Sequence, residues 1–413
     1  MIIGGGASGL MAAARLARGG ARVLLLEQSD RVGRKLLATG NGRCNLLNMN
    51  LERGRYFSRD LDAAWAVLRR YPPERLLAEF GALGVITRCE EDGRVYPLSG
   101  QAASVLDALR LACGEAGVRT ETGAAVTELA PERGRWRARL GDGREFGAAR
   151  AVLACGGRAQ PTPPADRRAR GLDALELLRA LGHAVHAPAP VLTPLRCDMS
   201  GLKGLKGVRV KGALELIDAR TGRTLAREQG ELLFADYGVS GIAAMQLSRA
   251  ACGRGAVRLA LDLMSDWDAA ALRELLAARA RGMATRPAEA FLTGALNRLL
   301  AGCVLRRAGI APGRECGALS AAELDALTGA LKRFEVDVTG AQDFASAQVM
   351  RGGAALSGFD AALQSRRAPG LHACGELLDV DGECGGYNLM WAWASALCVA
   401  DGVLVAGGRR GGI

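Results

Sequence analysis

Met1-Ile2-Ile3-Gly4-Gly5-Gly6-Ala7-Ser8-Gly9-Leu10 opens the chain, and the glycines at 4, 6 and 9 have the GxGxxG spacing. A clipped apolar strand precedes them. An alanine-rich helical pattern follows from Leu10 to Arg18 and ends at Gly19-Gly20. Val23-Leu24-Leu25-Leu26 then reads as a buried parallel strand that stops at Glu27. Gly4 permits the tight turn, Gly6 lets backbone approach a pyrophosphate, and Gly9 lets helix and strand pack closely. Ala7 and Ser8 stand at the helix start, where unpaired N–H groups and a partial positive charge favour phosphate. Glu27, with Gln28 beside it, falls where an acid meets adenosine ribose hydroxyls. Strand, helix, second strand and terminal acid come in the order a dinucleotide site needs.

A second glycine-rich segment lies near the other end. Leu371-His372-Ala373-Cys374-Gly375-Glu376 leads through Asp379 to Gly385-Gly386-Tyr387-Asn388, followed by a predicted helix from about Leu389 to Val405. Glu376 and Asp379 could meet ribityl or ribose hydroxyls. A helix N-terminus at Leu389 would stabilise negative charge near N1 and O2 of a reduced flavin. The first segment alone indicates a dinucleotide; the two together indicate FAD and therefore redox chemistry. Between them, Gly33-Arg34-Lys35 and Thr39-Gly40-Asn41-Gly42-Arg43-Cys44-Asn45 place cations on a backbone whose glycines allow it to bend around a ligand.

These segments resemble the BaiN-like family of bacterial NAD(P)/FAD-dependent flavoproteins, which includes aminoacetone-oxidase-like members. The resemblance is carried by Gly4–Gly9, Gly33-Arg34-Lys35 and Thr39–Asn45. It continues at Val152–Gly157, Gly238–Gly241, Gln348-Val349 and Gly352-Gly353, and most strongly at Gly375–Gly382 and Gly385–Trp393. One stretch departs from the family's pattern. Arg158–Arg170 stands where relatives carry a Thr-Gly-Ser-Thr-Gly-Asp-type run, so a relative's substrate does not transfer directly.

The expected architecture is α/β: a three-layer, Rossmann-like FAD-binding domain with a parallel sheet, an inserted β-barrel-like domain and a helical insert. The FAD-binding domain takes residues 1–188 and 346–413, the barrel 189–263 and 334–345, and the helical insert 264–333. Short β patterns from Val118 to Cys155 suit a meander returning to the cofactor, which brings Val126, Cys155 and Gly156 into the expected site. Helices are expected at Asp173–Leu181, after Ser240, and behind a capping box at Ser320-Ala321-Ala322-Glu323. Phe334–Val338 reads as strand. No internal repeat is evident.

The chain has 413 residues and a formal net charge of +11, which suits a phosphate-rich cofactor, an anionic substrate or RNA. Lysine stands only at positions 35, 203, 206, 211 and 332, so the basic balance is mostly arginine. No basic stretch is interleaved with aromatics, which argues against a nucleic-acid partner. No run of 18 uncharged apolar residues occurs, so no membrane span is expected; nor is a leader segment. Eleven scattered cysteines without CxxC, and only His183, His186 and His372, point to free thiols in a reducing cytoplasm and to no metal site.

The expected reaction is NAD(P)H-driven hydride transfer through flavin N5 to an activated, enone-type C=C bond of a small molecule. The resemblance, which includes bile-acid-type enone reductases, supplies the enone. NADH or NADPH would act as a transient reductant, since no second GxGxxG unit occurs. Arg43, Tyr387 and Arg351 are the candidate proton donors or oxyanion stabilisers. A flavin-dependent amine oxidase using O2 and an RNA-associated, tRNA-modifying-like flavoprotein are the alternatives. His183 and His186 read as packing or surface residues, and His372 as core or cofactor-flanking.

Overall fold

The computed structural model describes residues 1–160 and 171–408, so most of the divergent Arg158–Arg170 stretch lies outside the described residues. The chain divides into two compact units, Met1–Ala189 with Val349–Ile413, and Pro190–Gln348.

The first unit is built on a parallel sheet in the order Leu371–Ala373, Ala151–Leu153, Ile2–Ile3, Leu24–Leu26, Arg119–Glu121. The opening strand has only two residues, yet it holds because it pairs on both sides, Ile2 with Val152 and with Leu25. The chain steps from this strand to one side first and returns to the other side later. That switch leaves a crevice beyond the carboxyl ends of Ile2–Ile3 and Ala151–Leu153, where open α/β sheets bind ligands. The Val118–Cys155 meander is corrected by this pairing. Its outer segments join the parallel sheet, and only Val126–Glu132, Arg135–Leu140 and Glu145–Ala148 form an antiparallel sheet. Tight turns at Gly134 and Gly143, both at positive φ, hold those three strands adjacent.

The C-terminal helix runs Tyr387–Gly408, longer at both ends than the sequence pattern predicts. It packs on the first helix, Ala7–Arg18. Its length and apolarity match a membrane span, but 56% of that window is buried inside the protein. Counting uncharged residues stops the run at Ala400, whereas the helix continues through Asp401, which is ion-paired with Arg15 and Arg75. Trp393 is fully buried, edge-on to Phe80 at 5.2 Å, and donates its indole N–H to the Leu46 carbonyl at 2.9 Å. Truncating such a residue costs about 3–5 kcal/mol, so this helix is a core element of its unit.

The second unit is a closed, antiparallel six-stranded barrel. Its order is Leu195–Cys197, Gly238–Ser240, Thr224–Ala235, Arg209–Asp218, Val257–Asp262, Phe334–Ala341. The last strand extends past Val338 because it is paired on both sides. Helices Ala269–Gly282, Arg298–Arg307 and Ala321–Lys332 share one core with the barrel, Leu272, Val304 and Leu331 clustering with Leu259, Leu261 and Phe334. The capping box is present, Ser320 Oγ accepting from the Glu323 N–H and Glu323 returning the bond to the Ser320 N–H.

Candidate functional site

The glycine loop is shaped by packing at two positions and by openness at a third. A Cβ on Gly9 would stand 1.9 Å from the Gly4 carbonyl oxygen, and one on Gly4 would stand 2.4 Å from the Ala154 carbonyl oxygen. These contacts seat the first helix on the sheet. At Gly6 an added Cβ meets nothing within 4 Å, and φ there is −81°. Neither packing nor backbone conformation demands glycine at Gly6, so closeness to a ligand is the remaining physical reason. Gly6 is also the N-cap; no side chain caps the helix and its first turn holds no acid. A helix start in that condition favours an anion.

Glu27 is buried at the end of its strand. One carboxylate oxygen accepts the Gly5 N–H at 2.7 Å and the other the Ser29 N–H at 2.8 Å. Each oxygen keeps a lone pair for a hydroxyl. Gln28 is half-buried against Gly171. Val126 is buried and its carbonyl accepts the Leu172 N–H at 2.6 Å.

The two chain ends meet around this loop through Glu376, Gly375 and Gly386. Lys35 Nζ donates to Glu376 Oε2 at 2.6 Å, across 341 residues of sequence. A Cβ on Gly375 would lie 2.6 Å from Ser8 Oγ, and one on Gly386 would lie 2.5 Å from the Leu47 backbone. Asn48 adds a bond to the Gly385 carbonyl at 3.0 Å. Glu376 is the hub of this junction. Its carboxylate also accepts the Met350 N–H at 2.8 Å and the Gly157 N–H at 3.4 Å. Gly156, at positive φ, and the exposed Cys155 complete that edge.

The Thr39–Asn45 segment enters the left-handed region four times, with φ of 57° at Gly40, 55° at Asn41, 83° at Gly42 and 58° at Cys44, Arg43 between them being right-handed at −90°. Asn tolerates this region; a cysteine there costs about 1 kcal/mol or more. Cys44 is buried, its N–H held by the Thr39 carbonyl at 3.0 Å, and burial pushes its thiol up to about 12. Cys374 is likewise pushed up to about 12 by burial. Neither provides a thiolate near neutrality. Two buried polar atoms nearby, Asn45 Oδ1 and the Tyr56 hydroxyl, have no hydrogen-bond partner among the described residues. An uncapped helix start, an open Gly6 and an orphaned acceptor on Asn45 together fit a dinucleotide carrying a hydrogen-bonding ring.

The remaining candidates separate. Arg34 lies on the surface beside Asp30 at 3.4 Å. Asn41 and Gly42 are exposed. Arg43 is ion-paired with Glu90 at 2.7 Å and stacked over Tyr96 at 4.0 Å. Tyr387 is buried, edge-on to Tyr56 at 5.6 Å, and donates its hydroxyl to the Asn50 carbonyl at 3.2 Å. Asn388 closes the preceding loop by accepting from the Gly382 N–H and donating to the Gly382 carbonyl, both at 2.8 Å. Leu389 is half-buried one residue on. The Arg351 side chain makes no hydrogen bond or ion pair among the described residues, and Arg351 directly follows Met350, whose N–H is held by Glu376.

Asp379 is in a cluster that local sequence does not reveal. Its Oδ2 accepts the Arg59 N–H at 3.3 Å and faces His186 Nε2 at 3.6 Å, while Arg59 Nη1 lies 3.0 Å from His186 Nδ1. Guanidinium can only donate, so Nδ1 accepts and the imidazole proton sits on Nε2, toward Asp379. His183 bonds Ser365 at 2.7 Å and stacks on Phe359. His372 is core.

Residues 1–402 match the family described as HI0933-like protein Rossmann domain. A 3-dehydro-bile acid delta(4,6)-reductase of Clostridium scindens is 34% identical over 402 residues, covering 95% of this chain and 96% of that protein. A ribosomal RNA dihydrouridine synthase of Escherichia coli (strain K12) is 28% identical over 413 residues, covering 98% of each. Among solved structures, a 3-ketosteroid delta1-dehydrogenase of Sterolibacterium denitrificans shares the fold. Its TM-score is 0.50 at 13% identity, with 98% of this chain and 99% of that chain covered.

Proposed function

The chain belongs to the HI0933-like Rossmann family and is a flavin-dependent oxidoreductase; on that footing we propose that it moves hydride from NAD(P)H, through FAD, to a C=C bond conjugated with a carbonyl. The observation that carries this reading is the full-length relationship to a bile acid delta(4,6)-reductase at 34% identity. A dihydrouridine synthase, related over the same length, fits the same chemistry, because dihydrouridine is uridine saturated across a C=C bond conjugated to a carbonyl.

Bound FAD would supply two-electron chemistry, accepting hydride from the nicotinamide and delivering it to the β carbon of the acceptor. The chain's residues hold and polarise. N–H groups at the start of Ala7–Arg18 would take the pyrophosphate, and Glu27 the adenosine ribose with its remaining lone pairs. Asn45 Oδ1 would accept an N–H from the flavin ring. Lys35 and Glu376 hold the junction at which both chain ends close on the cofactor. Of the three cations and hydroxyls considered for the acceptor, Arg351 is the one with an unspent donor set, suited to stabilising an enolate oxygen as the α carbon takes a proton.

Anaerobic mixing with NADPH or NADH tests this reading. The flavin absorbance should bleach, then return on addition of an enone such as a 3-oxo-Δ4 bile acid. Failure of both nucleotides to bleach it, or reoxidation by oxygen alone with amines as the reductant, refutes the proposal. One observation favours a second acceptor, a uracil base in RNA: the relative named for ribosomal RNA aligns over nearly the whole chain. Reoxidation of the reduced enzyme by a uridine-containing RNA, with loss of uracil absorbance, distinguishes it.

A further inference from the structure

The expectation that the chain holds no internal repeat is corrected at one short place: Gly201-Leu202-Lys203, Gly204-Leu205-Lys206, Gly207-Val208-Arg209 is a three-residue repeat, followed by Val210-Lys211. Its period suits neither helix nor strand. In the structure each triplet makes one turn, the N–H of Leu202 donating to Met199, that of Leu205 to Leu202, and that of Val208 to Leu205, at 3.0, 3.2 and 2.9 Å. Gly204 and Gly207 sit at φ of 91° and 83°, resetting the chain between turns, and an added Cβ at either would meet nothing within 4 Å. The apolar member of each triplet is buried, Leu202 at 2%, Leu205 at 0% and Val208 at 5% exposure. The cationic member of each is exposed, as is Lys211. The result is a ridge of exposed cations, Lys203, Lys206 and Arg209 one per turn with glycine between them, and Lys211 two residues along in the strand Arg209–Asp218.

We propose that this ridge on the second unit grips the phosphodiester backbone of RNA. The proposal rests on the RNA reading of the acceptor given above. Three of the chain's five lysines are here, in a protein that otherwise uses arginine. An ammonium is a hydrated point charge without a fork to be captured by carboxylates, and it meets phosphates at variable geometry. The side chains of Lys203 and Lys211, both exposed, have no ion pair or hydrogen bond among the described residues. Lys206 pairs with Asp236 and Arg209 with Glu231, with side-chain exposures of 72% and 68% and of 63% and 43%. Such exposed pairs contribute little and are screened by salt, so a polyanion can displace them. Asp236 is followed directly by Tyr237, a residue 41% exposed, and a base could stack on its ring. The aromatic missing from the basic stretch in sequence is thus supplied by another segment. A lipid surface fits less well. The ridge turns its apolar side chains inward and offers none to a bilayer.

The test is fluorescence anisotropy of the FAD-loaded protein with a uridine-rich, single-stranded RNA between about 50 and 200 mM salt. The comparison is a variant carrying Lys203→Ala, Lys206→Ala, Arg209→Ala and Lys211→Ala. Single-stranded nucleic acid gives a slope near 0.7 per neutralised phosphate, so the variant should lose about three from the log–log salt slope and bind at least about tenfold more weakly. Tyr237→Ala should weaken binding about fivefold or more with the slope unchanged. FAD content and bleaching by NAD(P)H should match the parent protein in both variants. If the parent binds RNA and the four-site variant keeps the same slope, the ridge is refuted while the RNA reading survives. If the parent does not bind RNA at low salt, both fall. Ridge-dependent capture by phosphatidylglycerol vesicles in preference to RNA, or unchanged affinity in Tyr237→Ala, also overturns the assignment.

Discussion

Acidification should destabilise the first unit through one imidazole. His372 lies in the parallel sheet opposite Val152, is 1% exposed, and neither ring nitrogen makes a well-formed hydrogen bond. Burial lowers its pKa from 6.5 to about 4, with Arg150 pushing the same way and the Ala362 backbone and Asp360 partly opposing. A folded pKa below the unfolded one means that the native state excludes a proton the unfolded chain accepts. The resulting stabilisation is complete above pH 6.5 and is lost as pH falls from there toward 4. The gap of 6.5 − 4, at 1.36 kcal/mol per unit, is about 3 kcal/mol. For a unit of this size that corresponds to about 6–12 °C in Tm. His372→Leu removes the titration and replaces an unpaired polar ring by an apolar side chain of similar volume. Four of the five tryptophans, at 65, 136, 391 and 393, belong to this unit, so tryptophan fluorescence reports its unfolding. Wild type should lose about 3 kcal/mol more than His372→Leu between pH 7 and pH 4. His183, also lowered by burial, is present in both proteins and subtracts out. Parallel pH profiles for the two would refute the reasoning.

Arg351→Ala should leave bleaching of the flavin by NAD(P)H intact and slow reoxidation by the enone about 100-fold, as expected for loss of an oxyanion donor; rapid-mixing absorbance separates the two half-reactions, and equal loss in both would mean a structural role. Gly9→Ala forces a Cβ within 1.9 Å of the Gly4 carbonyl, which costs about 1–3 kcal/mol or more and should yield protein that fails to retain FAD on gel filtration. Asp401→Asn leaves Arg15, Arg75 and the Tyr71 hydroxyl, each 2.9 Å from the carboxylate, without their shared anion. Those arginines are partly solvated, so the expected loss is about 2 kcal/mol, measured as a lowered urea midpoint at an unchanged m-value.

What could be read from residues alone was local. Gly4, Gly6, Gly9 and Glu27 fall within one strand–helix–strand unit, where the periods of helix and strand fix each side chain's place. The same holds for the Ser320–Glu323 cap, complete within one turn. Barrel strands were legible as β patterns, but the end of Phe334–Ala341 was not, because pairing on both sides carries it past its own propensity. The Lys35–Glu376 bond, the Arg59–His186–Asp379 cluster and the commitment of Arg43 to Glu90 join segments far apart in sequence. No periodicity encodes such meetings. They follow from which strands become neighbours, and that is decided by the burial of the whole sheet and of the C-terminal helix against the first helix.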